Sequence, residues 1–278
     1  VRFGKTILLA AVLAAASLLL APAYSYWQSR PQVSIAAAGA CAGWTPATPS
    51  GLVAWYKADT GRTGDPITAL TDNSGHGYTL TNSGTVPYNA TGFNGFPAID
   101  FQAGGVLTTA SSTVDMGTGT TGSVFVAGQM LTGTEADGGL VGIVNDTLND
   151  WDSNASVSWI ARDATNNGLA YYRNGDASTQ AISLATNYRL GNILDGTNSK
   201  FYINNSVGSS VASAKSWIST LPTDSNSIVI GARVLALSVP DLTRAWYGPV
   251  AEIIIYSAAL GTSDRDCMDA YLVGRFSL

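Results

Sequence analysis

Apolar positions fall into short runs parted by turn residues along most of this chain. Leu52 to Lys57, Ala98 to Phe101, Ser123 to Met130, Ala155 to Arg162, Leu169 to Arg173 and Ser227 to Gly231 each read as a strand, some with partial alternation. Tyr188 to Leu194, a turn at Asp195-Gly196, and Lys200 to Ile203 read as a hairpin. Val250 to Tyr256 reads as a buried strand. Strands of this length at this spacing predict an all-β, two-sheet antiparallel β-sandwich and not βα alternation. No repeat at solenoid or propeller spacing is present.

The last element is different. From Ser263 onward the pattern is helical, with Ser263 as the expected N-cap and Asp266 three residues on as a short-armed capping box. Cys267, Ala270, Tyr271 and Gly274 share one face, which predicts a short C-terminal helix packed on the sandwich by that stripe.

The N-terminal segment carries Arg2 and Lys5 and then an uncharged apolar run from Ile7 to Ala21. Residues 1–25 read as an export signal with small-residue cleavage positions around Ala21-Pro22-Ala23 or Ala23-Tyr24-Ser25. The other reading is a retained hydrophobic helix, although the run is short of the roughly 20 residues that cross a bilayer. Residues 26–50, punctuated by Pro31, Pro46 and Pro49, read as a linker or lead-in, and 51–278 as one domain.

Composition narrows the function classes. Of 278 residues only 12% are charged and the net charge is −5, so the clustered Lys and Arg that nucleic acid demands are missing. Thirty glycines suit a chain with many tight turns.

Several segments in order resemble one family. Gly51-Leu52-Val53-Ala54-Trp55-Tyr56-Lys57-Ala58-Asp59 is similar to an opening strand, and Asp72-Asn73-Ser74-Gly75-His76-Gly77 to a "D-x-S-G-x-G" turn. Asn94-Gly95-Phe96-Pro97-Ala98-Ile99-Asp100-Phe101 resembles "N-G-x-P-A-[IVL]-x-F". Phe201-Tyr202-Ile203-Asn204 resembles "[LF]-Y-[VI]-N-G", with Asn205 in place of the glycine. Ile228-Val229-Ile230-Gly231 and the closing run from Trp246 to Leu278 complete the series. Together they resemble laminin G-like, concanavalin A-like jelly-roll domains of bacterial secreted or phage structural proteins. The resemblance implies a jelly roll, in which the first and last strands are neighbours. Cys41 and Cys267 would then meet in a disulfide, the alternative being two unrelated thiols. It further implies that the motif residues build the fold. Trp55, Phe101, Phe125, Ile230 and Ile254 are expected between the sheets, with Gly75, Gly77, Gly95 and Gly231 at turns or close approaches.

Candidate chemistry is sparse. His76 is the single histidine and lies in a glycine-rich turn, which leaves no Ser-His or zinc constellation. Glycanases of this fold carry alternating carboxylates on one strand. The only glutamates here, Glu135 and Glu252, are isolated, and Ile253, Ile254 and Ile255 follow Glu252, so no catalytic residue is assigned. The densest oxygen-rich stretch runs from Asn145 to Asn154. Asp150, Asp152 and Asn154 have calcium-loop spacing but lack the loop glycine and the closing glutamate; an Asx-rich hairpin loop is the competing reading. Trp151, beside Asp150 and Asn149, fits a sugar platform, with Tyr172 and Arg173 as a second candidate; packed rings are the alternative. The expected function is a non-catalytic, secreted or surface-displayed module that binds glycan or cell-surface polysaccharide. The alternative is a structural subunit of a virion or filament.

Overall fold

The computed structural model describes residues 39–101, 104–110, 114–116, 120–131, 138–145, 156–163, 168–173, 176–212, 226–236 and 239–278. Two compact units divide the chain, Val1–Ala42 and Gly43–Leu278; the fold described below is that of the second. The apolar N-terminal run lies outside the described residues.

Nineteen strands and one C-terminal helix, Thr262–Phe276, are present among the described residues. The strands begin with β1 (Leu52–Lys57), β2 (Arg62–Thr63), β3 (Ala69–Leu70), β4 (Leu80–Ser83), β5 (Tyr88–Phe93), β6 (Phe96–Asp100) and β7 (Val106–Thr109). They continue with β8 (Thr121–Gln129), β9 (Gly139–Asn145), β10 (Ser156–Asp163), β11 (Gly168–Arg173), β12 (Asp176–Ala181) and β13 (Asn187–Asp195). The last six are β14 (Asn198–Ile203), β15 (Ser206–Ala212), β16 (Asn226–Ile230), β17 (Ala232–Ala236), β18 (Val239–Ala245) and β19 (Pro249–Tyr256).

They form two sheets. The first runs β15-β14-β13-β8-β19-β6-β5, with β1 also on β19; the second runs β12-β11-β10-β9-β16-β7-β4-β3-β2, and the β17–β18 hairpin packs on it at β9. Pairing is antiparallel throughout, apart from one parallel bridge between Ala245 and Gly139. This is the predicted all-β sandwich.

The first sheet is covered on both faces, and its alternation shows it. On β8, Val124 and Val126 face the inter-sheet core while Phe125 and Ala127 face away. On β19, Val250, Ile253 and Ile255 point into that core, and Ala251, Ile254 and Tyr256 point outward under the C-terminal helix. Every residue of β19 is buried, which explains an apolar run without strict alternation. Phe101 and Ile230 are inter-sheet residues as expected. Trp55, Phe125 and Ile254 are not: they belong to the outer cluster beneath the helix. Trp55 and Ile254 are register partners on neighbouring strands, so one face carries both.

The helix differs from its expected start and, in part, from its expected face. Gly261 is its extended N-cap, without a side-chain cap bond, and Ser263 lies inside the first turn. Buried Ser123 sets this start: its hydroxyl donates to Ala258 O at 2.8 Å and accepts from Leu260 N–H at 3.0 Å, pinning the connection just before the helix. Asp266 does not cap; it accepts from Asn205 and Arg265 at 3.0 and 2.9 Å. The buried face is Cys267, Met268, Leu272 and Phe276; of the expected stripe Cys267 is buried and Tyr271 packs on the sheet, while Ala270 is half-buried and Gly274 exposed. Met268, Leu272 and Phe276 recur every fourth residue and present larger apolar area to Phe93, Phe125 and Tyr202 than Ala270 and Gly274 would.

The family-like motifs have structural work. Asp72 accepts from Trp55 N–H, Ser74 N–H and Ser74 Oγ–H at 2.9, 2.8 and 2.6 Å and so shapes its turn. Asn94-Gly95 has positive φ at both residues, the hairpin combination, and Asn94 Nδ2 donates to Phe276 O at 2.8 Å at the helix end. Asn204-Asn205 turns the same way, and Asn205, where the laminin G-like motif it resembles has glycine, bonds Asp266 and Arg265 of the helix. Asparagine tolerates the left-handed conformation and adds an anchor that glycine lacks.

Candidate functional site

The residues singled out from the sequence divide by what the structure describes. Asn149, Asp150, Trp151, Asp152 and Asn154, and hence the calcium and platform readings, lie outside the described residues. Tyr172 and Arg173 end β11, paired in register with Ala177 and Asp176 of β12. Cys41 and Cys267 are both disulfide-bonded; they are the chain's only cysteines and pair with each other. Among the described residues no group of three His, Cys, Asp or Glu side chains is placed to hold a metal. His76 is exposed, stacked on Tyr78 at 5.6 Å, with Nε2 3.0 Å from Leu52 O.

Glu252 is the described carboxylate most removed from solvent, 1% exposed on β19. Oε1 accepts from Trp55 Nε1–H and from the Tyr271 hydroxyl at 2.8 Å. Oε2 lies 2.6 Å from Arg275 Nε in an ion pair whose N–H is not aligned for a hydrogen bond. Arg275 in turn grips both oxygens of Asp59 at 2.8 Å. Burial raises the Glu252 pKa and outweighs Arg275, Trp55, Tyr271 and Lys57, which pull it down. Trp44 leans on Tyr271 and donates to Asp264 at 3.0 Å. The arrangement locks β1, β19, the lead-in at Trp44 and the helix together around a carboxylate almost wholly removed from solvent.

A concave site lies elsewhere. At one flank of the sandwich the edge strand of each sheet, β12 and β15, approaches the other. Gln180 and Ala181 end β12, and Ile182 and Ser183 lead on toward Tyr188 at the start of β13. Across from them, the Asn204-Asn205 turn carries Ile203 at the end of β14 over to Ser206, Val207 and Gly208 of β15. These residues line a cleft of about 410 Å³. None of them is charged. Val207 is 63% exposed, the most exposed large apolar side chain among the described residues; it pairs in register with Tyr202, so its side chain lies on the helix side of the sheet and only its backbone borders the cleft. Tyr188 is buried, and its hydroxyl accepts from Ser183 N–H at 2.8 Å, holding the wall between β12 and β13. A Cβ on Gly208 would stand 2.9 Å from Gln180 Oε1, so glycine lets that amide lie across the cleft.

The chemistry available here is neutral: an amide, hydroxyls, backbone groups and aliphatic surface, with no acid, base or nucleophile pair among the described lining residues. Nothing in the sequence pointed to this place.

No family model and no curated protein matches the sequence. Solved structures do. A Trypanosoma rangeli sialidase in complex with the inhibitor DANA matches with TM-score 0.58 at 12% identity, over 82% of this chain and 34% of the sialidase. The chain thus spans about a third of that enzyme. The receptor binding domain of botulinum neurotoxin mosaic serotype C/D matches with TM-score 0.55 at 12% identity, over 80% of this chain and 51% of that one. Domain 4 of AbnA, a GH43 extracellular arabinanase from Geobacillus stearothermophilus, in complex with arabinotriose, matches with TM-score 0.51 at 18% identity, over 78% and 97%. At these identities the likeness is one of fold: a β-sandwich. Among the described residues no helix is long and apolar enough to cross a membrane.

Proposed function

We propose that this protein is an exported, non-catalytic recognition module whose partner is a glycan or cell-surface polysaccharide. The uncharged cleft between β12 and β15 carries the reading. A cavity of about 410 Å³ falls within the roughly 300–1,000 Å³ usual for small-ligand sites, and amide and hydroxyl groups beside aliphatic surface match a neutral polyol. Three further points support it. Glu252 is engaged through both oxygens and is unsuited to acid–base work. The motif series resembles laminin G-like domains. Domain 4 of the arabinanase, similar in fold over almost its whole length, is bound to arabinotriose.

The segment from Asn145 to Asn154 belongs to the same proposal as a second contact region. Trp151 would supply a ring and Asp150 and Asn149 hydrogen bonds, with Tyr172 and Arg173 nearby in sequence on β11. Asp150, Asp152 and Asn154 are proposed as calcium ligands only on their spacing.

The test is glycan-array binding followed by equilibrium titration of the full chain. Binding of neutral oligosaccharides that weakens at least tenfold in Gln180→Ala or Ser206→Tyr supports the cleft. Loss in Trp151→Ala with no effect of those two variants moves recognition to the loop. Absence of any saccharide binding, or glycan cleavage that disappears in Glu252→Gln, overturns the proposal.

A further inference from the structure

One hairpin turn is tied to the end of the closing helix through a side chain with reactive chemistry. Asn94-Gly95 joins β5 to β6 with positive φ at both residues, and both are exposed. Asn94 Nδ2 donates to the last helical carbonyl, Phe276 O, at 2.8 Å and to Ser277 O at 3.2 Å. The Phe276 ring meets Phe93 and Phe96, on either side of the turn, edge to face at 5.3 and 5.7 Å. Ser277 is the left-handed C-cap, with its N–H on Val273 O. One side-chain amide thus serves two carbonyls at the negative end of the helix dipole.

The residue after Asn94 has no side chain, and beyond its chain neighbours no atom lies within 4 Å of where its Cβ would be. An unhindered backbone nitrogen in that place can attack the asparagine amide. The Gly95 nitrogen gives its proton to solvent base and bonds Asn94 Cγ; the Cγ–Nδ2 bond breaks and ammonia leaves. Water then opens the five-membered imide, at the side-chain carbonyl to give aspartate or at the backbone carbonyl to give isoaspartate. While the helix end is docked, two hydrogen bonds hold the amide, and attack requires it to turn away from them. The product carboxylate has no donor for Phe276 O and Ser277 O, and it adds negative charge where the helix end already carries some. The Asp195-Gly196 turn is less suited to this reaction. Asp195 is already a carboxylate, gripped by Thr197, Asn198 and Lys200, and a carboxylate is a weaker electrophile than an amide.

We infer that Asn94 is a self-modification site whose deamidation releases the end of the closing helix irreversibly. The docked helix end guards the amide, and local fraying exposes it. Once the carboxylate has formed, it keeps the helix end from settling back. The same end carries Arg275, so release also loosens the ion pairs to Asp59 and Glu252.

The test is peptide mapping of the full chain after incubation at mildly alkaline pH, which separates Asn94 from the Asn-Gly pairs at Asn167 and Asn174. Asn94 is expected to convert at least about tenfold more slowly in the native protein than in urea. Phe276→Ala removes the ring that docks the helix end and should speed the native reaction. The product is tested apart from the reaction, by hydrogen exchange at the Phe276 and Ser277 amides. At neutral pH, Asn94→Asp should exchange there at least about fivefold faster than the parent. It should also exchange faster than Asn94→Ala, which loses the donor without adding charge, and that excess should vanish below the carboxylate range. Conversion equally fast in the native protein and in urea overturns the inference. So does conversion confined to urea in the parent and in Phe276→Ala alike, or no conversion at all. An Asn94→Asp variant whose helix end exchanges like the parent's also overturns it, because the product then releases nothing.

Discussion

Trp55 and Glu252 meet across the β1–β19 pair, the indole N–H donating to a carboxylate that is almost wholly buried. The contact joins the first strand of the domain to the last and gives Glu252 a structural task. Tyr271 and Arg275 of the helix complete the shell around it.

Removing the charge and removing the acceptor should therefore differ. Glu252→Gln keeps an oxygen for Trp55 and Tyr271, and its stability at pH 7 is expected within about 1 kcal/mol of the parent. Glu252→Ala leaves two donors and Arg275 without their partner and is expected to cost about 3–5 kcal/mol in urea unfolding.

The same residue has a pH signature. Its pKa in the folded protein is raised by burial, so its contribution to stability is fully present below the ordinary carboxylate range. That contribution is lost as pH rises through the elevated folded value. The difference in unfolding free energy, parent minus Glu252→Gln, should fall as pH increases across this window. A difference that instead grows with pH would show that Arg275 outweighs burial.

Beneath the middle of the helix, Arg189 on β13 pairs with Asp269 through two contacts, of which Nη2 to Oδ2 is 3.3 Å. Arg189 is only 7% exposed, so Asp269→Ala strands a buried cation and is expected to cost about 3–5 kcal/mol. Arg189→Met combined with Asp269→Leu should recover most of that loss in the same denaturation experiment.

The Cys41–Cys267 bond closes nearly the whole folded chain into one loop. Chain entropy puts the stabilisation from so long a loop on the order of 5 kcal/mol, and about 2–5 kcal/mol is expected in practice. Cys41→Ser with Cys267→Ser should lower the melting temperature, and reductant should do the same to the parent but nothing to the double variant.

Gly231 has φ of +95°, and a Cβ there would lie 2.2 Å from Phe101 Cδ1. Gly231→Ala must displace a fully buried ring, so a loss above about 3 kcal/mol is expected by thermal or urea unfolding. Gly95, whose surroundings are open, should lose far less on the same substitution, the cost there being its positive φ alone.

Strand positions were legible because period-two burial and turn chemistry are local. The Asp195-Gly196 hairpin shows why. Asp195 accepts from the N–H groups of Thr197 and Asn198 and from Lys200, all within five residues, and despite partial burial these hold its pKa at about 2. The two-sheet fold and the C-terminal helix followed from such signals. The helix face followed only in part, Cys267 and Tyr271 packing as expected, since the burial of Met268 and Leu272 depends on Phe125 and Tyr202, residues far away in sequence. The side on which Trp55 falls did not follow, because β19 is buried on both faces and its apolar run does not say which neighbour shares which face.

The chain's own order thus determined the strands, their turns, the near absence of charge and the isolation of its two glutamates. Tertiary structure alone decided that Glu252 is sealed by Trp55, Tyr271 and Arg275, and that Gln180 and Gly208 face one cleft. Both are meetings of residues from distant elements. A strand pattern records which side of its own sheet a residue takes, but not what the other sheet's edge or the closing helix brings against it.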